Sequence, residues 1–321
     1  MYMKDTSKIL FLLLCGLCAP YVQLSSQTLT SPANVPREGD RLELVPVSVP
    51  DVGEAGRDLL WDFSGLRVLE GKMKVDHLLR SDTTDTLMAI ARRTRHYTVL
   101  RGDTLLLPGT ENNLWLIQYT LPETLLRFPF AYGDSLAAPF LGTSQYCERA
   151  YCRTYGLSTV KADALGTLVT PDGDTLRHVL RVRTLRTEGA RTLPVYTEPD
   201  MRRLLATLPP FTADSVHARL AADTLPLTTV TYRFFAPGYR YPVLIVTTEG
   251  VGGPSSAEAF YFPPGQQELL AYDPVNERLR EAMAAGGGRS RSGRIPWHRR
   301  PSATLRCARS ATMYGHIRAA P

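Results

Sequence analysis

Short runs of β-branched and aromatic residues, separated by turn signals, limit most strongly what this chain can form. Two such runs, 96–100 and 104–107, flank an Arg-Gly-Asp turn, and two more, 228–235 and 241–248, flank a Pro-Gly turn. Strands recurring at about 8–12 residues without alternating long helices are typical of antiparallel all-β folds. The sequence therefore predicts an all-β, antiparallel β-sandwich, with a partly open barrel as the alternative. The run 42–47 contains Pro46, which predicts a strand at the edge of a sheet because proline donates no ladder hydrogen bond.

Helix signals are confined to short stretches. Those within 190–226 predict a short helical insertion between strands, a common place for function on an all-β scaffold. Asp-Pro at 273–274 supplies an N-cap followed by proline at the first helical position, and Gly286 ends the pattern. We therefore predict a β-rich domain over 27–270 and a C-terminal helix over 271–285.

Residues 1–26 have the layout of a secretory signal peptide. Lys4 and Lys8 form a positive n-region, and the apolar stretch 9–17 is too short to span a bilayer. A small residue precedes Gln27, which we predict as the mature N-terminus. The expected location is the periplasm, the outer membrane surface or the medium, with no transmembrane span in the mature chain.

Two alternatives to this signal peptide remain open. A lipid anchor on Cys15 or Cys18 is the first, although leucine precedes each cysteine where a small residue is expected. A buried N-terminal helix is the second.

The positive charge of the chain is concentrated in its last residues. The formal net charge is +6, but 286–321 holds eight arginines, no lysine and no acidic residue, so 1–285 sums to −2. The β-rich part thus lacks the electrostatic footprint of a nucleic-acid-binding protein. We predict a disordered arginine-rich tail that results from out-of-frame translation. A genuine disordered tail and a functional basic arm are the alternatives.

Two cysteines remain in the β-rich part of an exported chain, Cys147 and Cys152. Across a four-residue hairpin loop they would face each other at bridging distance, so we predict a disulfide. Two buried free thiols are one alternative. A metal site is another, although two sulfurs without further ligands make an incomplete shell.

No catalytic motif, metal-ligand set or dinucleotide fingerprint is recognisable, so no catalytic residue, metal or cofactor is predicted. The most suggestive surface lies around the Pro-Gly turn, where rings alternate with arginines. Because stacked rings beside arginine bind flat ligands, Tyr239, Arg240 and Tyr241 are the candidate ligand-binding residues. Strand alternation favours packing in the core for at least half of the rings around this turn.

Several blocks of the chain resemble a group of uncharacterised secreted proteins of Bacteroidota that contain a "WDFS" segment. Here the segment is Trp61-Asp62-Phe63-Ser64, and further similar blocks lie at 128–135, 161–168, 172–177 and 238–244. The resemblance implies secretion, often with a C-terminal type IX sorting domain, but no catalytic residues. This chain departs from the group there, because the arginine-rich tail stands in place of that domain.

These observations favour an exported, non-enzymatic β-rich protein of unknown ligand, either a component of the cell envelope or surface or a ligand-binding module. A glycan or an envelope protein is the expected partner, and nucleic acid is not. The alternative is a secreted glycan or peptide hydrolase whose carboxylates and histidine meet only in the fold.

Overall fold

The computed structural model describes residues 27–79, 85–208, 212–223 and 226–286. The predicted signal peptide, 1–26, and the arginine-rich tail after residue 286 lie outside the described residues. None of the helices in these ranges has the length and apolar composition that crossing a membrane requires.

Most of the described chain is strand, which confirms the all-β class. The strands are β1 (Thr28–Leu29), β2 (Arg41–Val47), β3 (Gly56–Asp62), β4 (Met73–Leu79), β5 (Thr86–Ala91), β6 (Thr94–Arg101), β7 (Thr104–Glu111), β8 (Trp115–Arg127), β9 (Phe130–Ala131), β10 (Ser135–Tyr146), β11 (Ala150–Val169), β12 (Thr175–Thr192), β13 (Leu227–Phe235), β14 (Leu244–Val251) and β15 (Ser256–Tyr261). The helices are α1 (Ser31–Asn34), α2 (Glu198–Thr207), α3 (Ala213–Ala222), α4 (Pro264–Gln267) and α5 (Pro274–Gly286).

The main sheet closes on itself as a 12-strand antiparallel barrel. Its ring order is β10-β8-β7-β6-β5-β4-β2-β15-β14-β13-β12-β11, and β11 pairs again with β10 along 150–161. That last pairing joins the two edges that a sandwich would leave apart. The predicted sandwich is therefore wrong, and the barrel is closed rather than partly open.

Strand β11 is long enough to serve two partners on one side. Its first part pairs with β10, and Ala164–Val169 then pairs in parallel with β3. Gly166 permits this close approach, because a Cβ there would lie 2.2 Å from the carbonyl oxygen of Leu59. Strand β3 thereby lies outside the ring and extends the sheet beside β11.

Strand β2 is not at an edge, contrary to the expectation from Pro46. It pairs with β4 on one side and β15 on the other. Pro46 stands opposite Phe260, and its carbonyl accepts a hydrogen bond from the Leu69 amide. The N–H that proline lacks would face the same side as this carbonyl, away from β15, so the β2–β15 pairing is intact.

The alternating strand directions give the barrel two distinct ends. We call one the terminal end: it carries the turn 236–243, the N-terminal residues 27–40, α4 and α5. We call the other the insertion end: it carries the turn 147–149 and the segment 193–226, which contains α2 and α3.

An apolar cluster fills the barrel interior towards the terminal end. Leu180 of β12 packs in one cluster with Leu105 of β7 and Leu126 of β8, strands from different parts of the ring. Leu29 and Phe130, from the small β1–β9 ribbon, belong to the same cluster and cover this end. Burial of these side chains supplies the main driving force for closing the barrel.

A second cluster lies on the outer face of the wall, under the chain that includes β3. Trp61 and Phe63 each meet Phe234 edge-to-face, at ring-centroid distances of 5.1 and 5.6 Å. All three side chains are buried. The WDFS segment is therefore a packing element of this outer layer.

The two helices of the insertion lie between β12 and β13, and α3 packs against β10, β11 and β12. Val216, which is fully buried, is the anchor of α3. A capping box between Thr212 and Ser215 satisfies the first amides of this helix.

The predicted Cys147–Cys152 disulfide is wrong: both cysteines are free. The β10–β11 hairpin closes with the pair Tyr146 and Ala150, so Cys147 lies in the turn. Cys152 stands opposite Ser144 instead. The sequence argument assumed a loop one residue longer, and that shift in register separates the two thiols.

Candidate functional site

The three predicted ligand-binding residues lie together at the terminal end, but they are buried. Tyr239, Arg240 and Tyr241 keep only 5, 7 and 5 % of their surface exposed. The Tyr239 hydroxyl donates to Glu268 at 3.2 Å. Tyr239 thus packs in the outer cluster with its polar tip held by the protein.

Arg240 is held on several sides by the protein. Its Nε donates to Asp273 at 2.9 Å, and its two terminal nitrogens donate to the carbonyl oxygens of Val35 and Pro32. The hydrogen bonds from Arg240 and Asn276 help to keep the pKa of Asp273 low, against the effect of burial. This arginine therefore ties the N-terminal residues to the start of α5.

Tyr241 makes a similar connection to the start of β2. Its hydroxyl donates to Asp40 at 2.9 Å and accepts from the Arg37 amide at 3.3 Å. Burial, reinforced by the Asp40 carboxylate, raises the pKa of Tyr241. Beside these residues lies a pocket of about 90 Å³. The geometry is that of an anchor that joins distant parts of the chain.

A different polar site lies inside the barrel, towards the insertion end. Beyond Leu180 and Val182, the inward face of β12 continues with Thr184, Arg186 and Glu188, because alternate residues of a strand share a face. We call Tyr119, Glu123, Arg186, Glu188 and Arg233 the luminal charge cluster.

Arg186 is the centre of this cluster. Its Nε donates to Glu123 at 2.9 Å, and its terminal nitrogens contact Glu188 at 2.6 Å and the Tyr119 hydroxyl at 3.0 Å. Glu123 and Tyr119 belong to β8, which does not neighbour β12 in the ring. These contacts therefore cross the interior of the barrel.

The guanidinium of Arg186 also lies over the ring of Phe140, 4.6 Å from the ring centroid. Phe140 is fully buried and rests on Gly156, where a Cβ would lie 2.1 Å from its Cζ. A glycine is needed at 156 for this reason. It lets the Phe140 ring approach the backbone of β11 closely, in the position where Arg186 packs over the ring.

Arg233 projects into the same space from β13. Among the described residues its guanidinium has one hydrogen-bond partner, the Thr184 hydroxyl at 3.1 Å. Its direct cross-strand neighbours are Val182 and Ile245, and threonines follow towards the insertion end: Thr231 stands opposite both Thr184 and Thr247, and the Thr231 and Thr247 hydroxyls lie 3.3 Å apart.

The electrostatics of the two arginines differ. Burial opposes the charge of Arg186, but the attraction of Glu123 and Glu188 outweighs it and raises the pKa of Arg186. Burial lowers the pKa of Arg233, and Glu123 offsets this only in part. Burial also raises the pKa of Tyr119 to about 12, so its hydroxyl stays protonated near neutral pH. Arg233 is the less compensated of the two charges.

Solvent reaches this layer. The side chains of Arg186 and Glu188 each keep 20 % of their surface exposed, whereas Glu123 keeps 4 %. Arg233 and Thr184 are likewise only partly buried. The barrel interior therefore changes from a packed apolar half to a polar half, towards the insertion end, whose side chains are partly exposed.

Sequence analysis missed the luminal charge cluster. The signal was present in β12, where the apolar alternation of Leu180 and Val182 continues without a break into Thr184, Arg186 and Glu188. Charged residues in such a pattern ordinarily mark a solvated outer face. Only closure of the ring turns that face inward.

Within the described ranges, no group of three or more His, Cys, Asp or Glu side chains is arranged to hold a metal ion. No protein-family model matches the chain, and neither a curated protein nor a solved structure is similar to it.

Proposed function

We propose that this chain is an exported, non-enzymatic binding protein of the cell envelope or surface, and that the polar half of its barrel takes a small polar ligand. The observation that carries the proposal is the luminal charge cluster: two arginines and two glutamates inside a closed barrel, partly open to solvent. Burying charges is costly, and an apolar layer would stabilise the barrel better.

The width of the ring supports the same proposal. A barrel of about eight strands is just filled by its own side chains, and wider barrels enclose space for a ligand. Twelve strands exceed that limit. Val182 and Ile245 stand directly opposite Arg233, and the next inward positions towards the insertion end are the short polar side chains of Thr184, Thr231 and Thr247. Few convergent polar groups in a concave space are typical of small-molecule sites.

The polar layer also argues against the hydrolase alternative. A glycosidase needs one carboxylic acid that can give up a proton and one free carboxylate. Glu123 and Glu188 both contact the guanidinium of Arg186. They therefore serve as counterions of a fixed cation, a role that favours binding over hydrolysis.

Export rests on the sequence features of residues 1–26, and envelope location on the resemblance to secreted WDFS proteins. A glycan or an envelope component remains the proposed source of the ligand. Either would reach the barrel after export, and the insertion end is where it would enter.

The first experiment tests access to the polar half. A Thr184→Cys variant of the full chain is treated with neutral methyl methanethiosulfonate, and each cysteine is followed by peptide mass spectrometry. We expect Cys at 184 to react more slowly than exposed Cys147 but far faster than Cys in a Val160→Cys variant, since Val160 is 1 % exposed in the apolar half. Equal protection at 184 and 160 would contradict the proposal.

The second experiment tests binding. A panel of monosaccharides, amino acids and organic acids is screened by the shift in Tm, because a ligand that binds only the folded state stabilises it. Thr247→Trp fills the lumen, and Thr248→Trp places the same ring on the outer face of the same strand. A shift that Thr247→Trp removes and Thr248→Trp retains supports luminal binding. A shift that survives both variants locates the ligand elsewhere.

A further inference from the structure

We infer that the luminal ligand carries a carboxylate and that Arg233 is the residue that binds it; this inference rests on the proposed function above. The guanidinium of Arg233 has five N–H donors, and one is engaged by Thr184. The other donors have no hydrogen-bond partner among the described residues and the side chain is partly exposed, so an oxyanion can reach them.

The charges around Arg233 point to an anionic group. Four glutamates face this half of the interior, and each has a partner of its own: Glu123 and Glu188 contact Arg186, Glu249 accepts from Thr229, and Glu258 pairs with Arg92. Glu123 acts on Arg233 only from a distance, since no ion pair joins them among the described residues. A buried cation without its own counterion is stabilised by a ligand that brings one.

The shape of the guanidinium favours a carboxylate. Its planar fork offers two parallel N–H donors, which match the two oxygens of a carboxylate. The hydroxyls of Thr184 and Thr231 lie along the same wall and can bind further polar atoms of the ligand. Arg233 thus binds the ligand and selects for negative charge. Arg186 contacts Glu123, Tyr119 and Glu188 and holds these side chains in place.

The test compares reagents of different charge at one thiol. In the Thr184→Cys variant the thiol takes the place of the hydroxyl 3.1 Å from Arg233. The full chain is treated with neutral methyl, anionic 2-sulfonatoethyl or cationic 2-(trimethylammonio)ethyl methanethiosulfonate. Rates at 184 are normalised to those at exposed Cys147. We expect the anionic reagent to be favoured over the cationic one on the order of tenfold at low salt.

Substitutions assign that preference to Arg233. Arg233→Gln should abolish it, and Arg233→Lys, which keeps the charge, should retain it. Arg183→Gln is the matched control, because Arg183 is the neighbour of Thr184 on the outer face of β12. A preference that persists in Arg233→Gln, or is absent from the parent, overturns the inference. If Arg233→Gln fails to fold, judged by circular dichroism, the parent and Arg233→Lys still decide it.

Competition by small anions tests the carboxylate itself. Acetate should slow modification at 184, but not at Cys147, relative to chloride at equal ionic strength. Protection by inorganic phosphate without protection by acetate would overturn the carboxylate assignment. Failure of the proposed function looks different: then no reagent, including the neutral one, reaches the thiol at 184.

Discussion

At the scale of single residues, the most demanding arrangement is the buried ion pair between β11 and β12. Arg181 is 1 % exposed and donates two hydrogen bonds to Asp163, at 2.8 and 3.1 Å. It also donates to the carbonyl oxygens of Val52, Gly53 and Glu54. One side chain thereby joins the barrel wall to the chain that leads into β3.

Arg181→Met should lower the free energy of unfolding by about 3–5 kcal/mol, because it leaves the Asp163 carboxylate buried without its partner. Urea denaturation measures this. Arg92→Met is the matched control: Arg92 pairs with Glu258 at 2.9 Å, but both side chains are about half exposed. That change should cost at most about 1 kcal/mol. Equal losses in the two variants would contradict the structural role given to Arg181.

The positions of helices and strands were easier to predict from sequence than the pairing of each strand with its neighbours. The β-runs, the insertion helices and the C-terminal helix follow from local patterns, since β-branched residues and capping signals act over a few positions. The 147–152 hairpin was misjudged by one residue, which was enough to predict a disulfide that does not form. Ring closure depends on β10 pairing with both β8 and β11. No local pattern encodes that choice, so the luminal charge cluster could not be predicted.

The packing of α3 on the barrel brings three arginines together. Arg153 and Arg191 stand directly opposite each other in the β11–β12 ladder, and α3 contributes Arg219. Burial lowers the pKa of Arg153, and the charges of Arg219 and Arg191 lower it further. Asp223, which accepts from the Tyr155 hydroxyl at 3.4 Å, brings the nearby negative charge. Helix α3 is therefore held on the barrel despite the mutual repulsion of the three arginines.

Arg191→Gln should therefore stabilise the protein by roughly 0.2–1 kcal/mol, since like charges directly opposite in a ladder are destabilising. The gain should shrink at high salt, which screens the repulsion. Urea denaturation at low and high salt tests both statements. Arg177→Gln, on the exposed start of β12, serves as the control and should have little effect. Destabilisation by Arg191→Gln at low salt would show that Arg191 is mainly attractive.

At the scale of the whole molecule, polarity is graded along the barrel axis. The terminal end is covered by the β1–β9 ribbon, and hydrogen bonds from Arg240 to Asp273 and from Tyr241 to Asp40 join its segments. These contacts stabilise the terminal end, away from the half that is proposed to bind a ligand. Tyr239, Arg240 and Tyr241, the ligand-binding candidates of the sequence analysis, take part in these contacts.

Two interior histidines should make the stability of the whole barrel depend on pH. Burial lowers the pKa of His77, although hydrogen bonding to the Asp40 carbonyl opposes this in part, and burial lowers the pKa of His96. The unfolded chain therefore binds protons first as pH falls. The free energy of unfolding should be fully present above about pH 6.5 and decrease towards about pH 5, by at most about 1.4 kcal/mol per pH unit for each histidine.

Denaturant titrations between about pH 5 and 7 test this dependence. His77→Gln and His96→Gln should each flatten the profile, because glutamine takes up no proton in this range. His217→Gln, at an exposed position of α3, is the control and should leave the slope unchanged. A profile that stays steep in both interior variants would assign the pH dependence to other groups.

The proposed function also requires that the chain leave the cytoplasm. Peptide mass spectrometry of fractionated cells should find a mature N-terminus at Gln27 in periplasmic, envelope or extracellular material. The reason for this expectation is the short apolar stretch after Lys4 and Lys8, which has the layout of a signal peptide and is too short to span a bilayer. Cytosolic product that retains Met1 would contradict export. In the same data, peptides from 287–321 would establish the arginine-rich tail as a genuine part of the protein, and peptides from another frame after about residue 285 would establish out-of-frame translation.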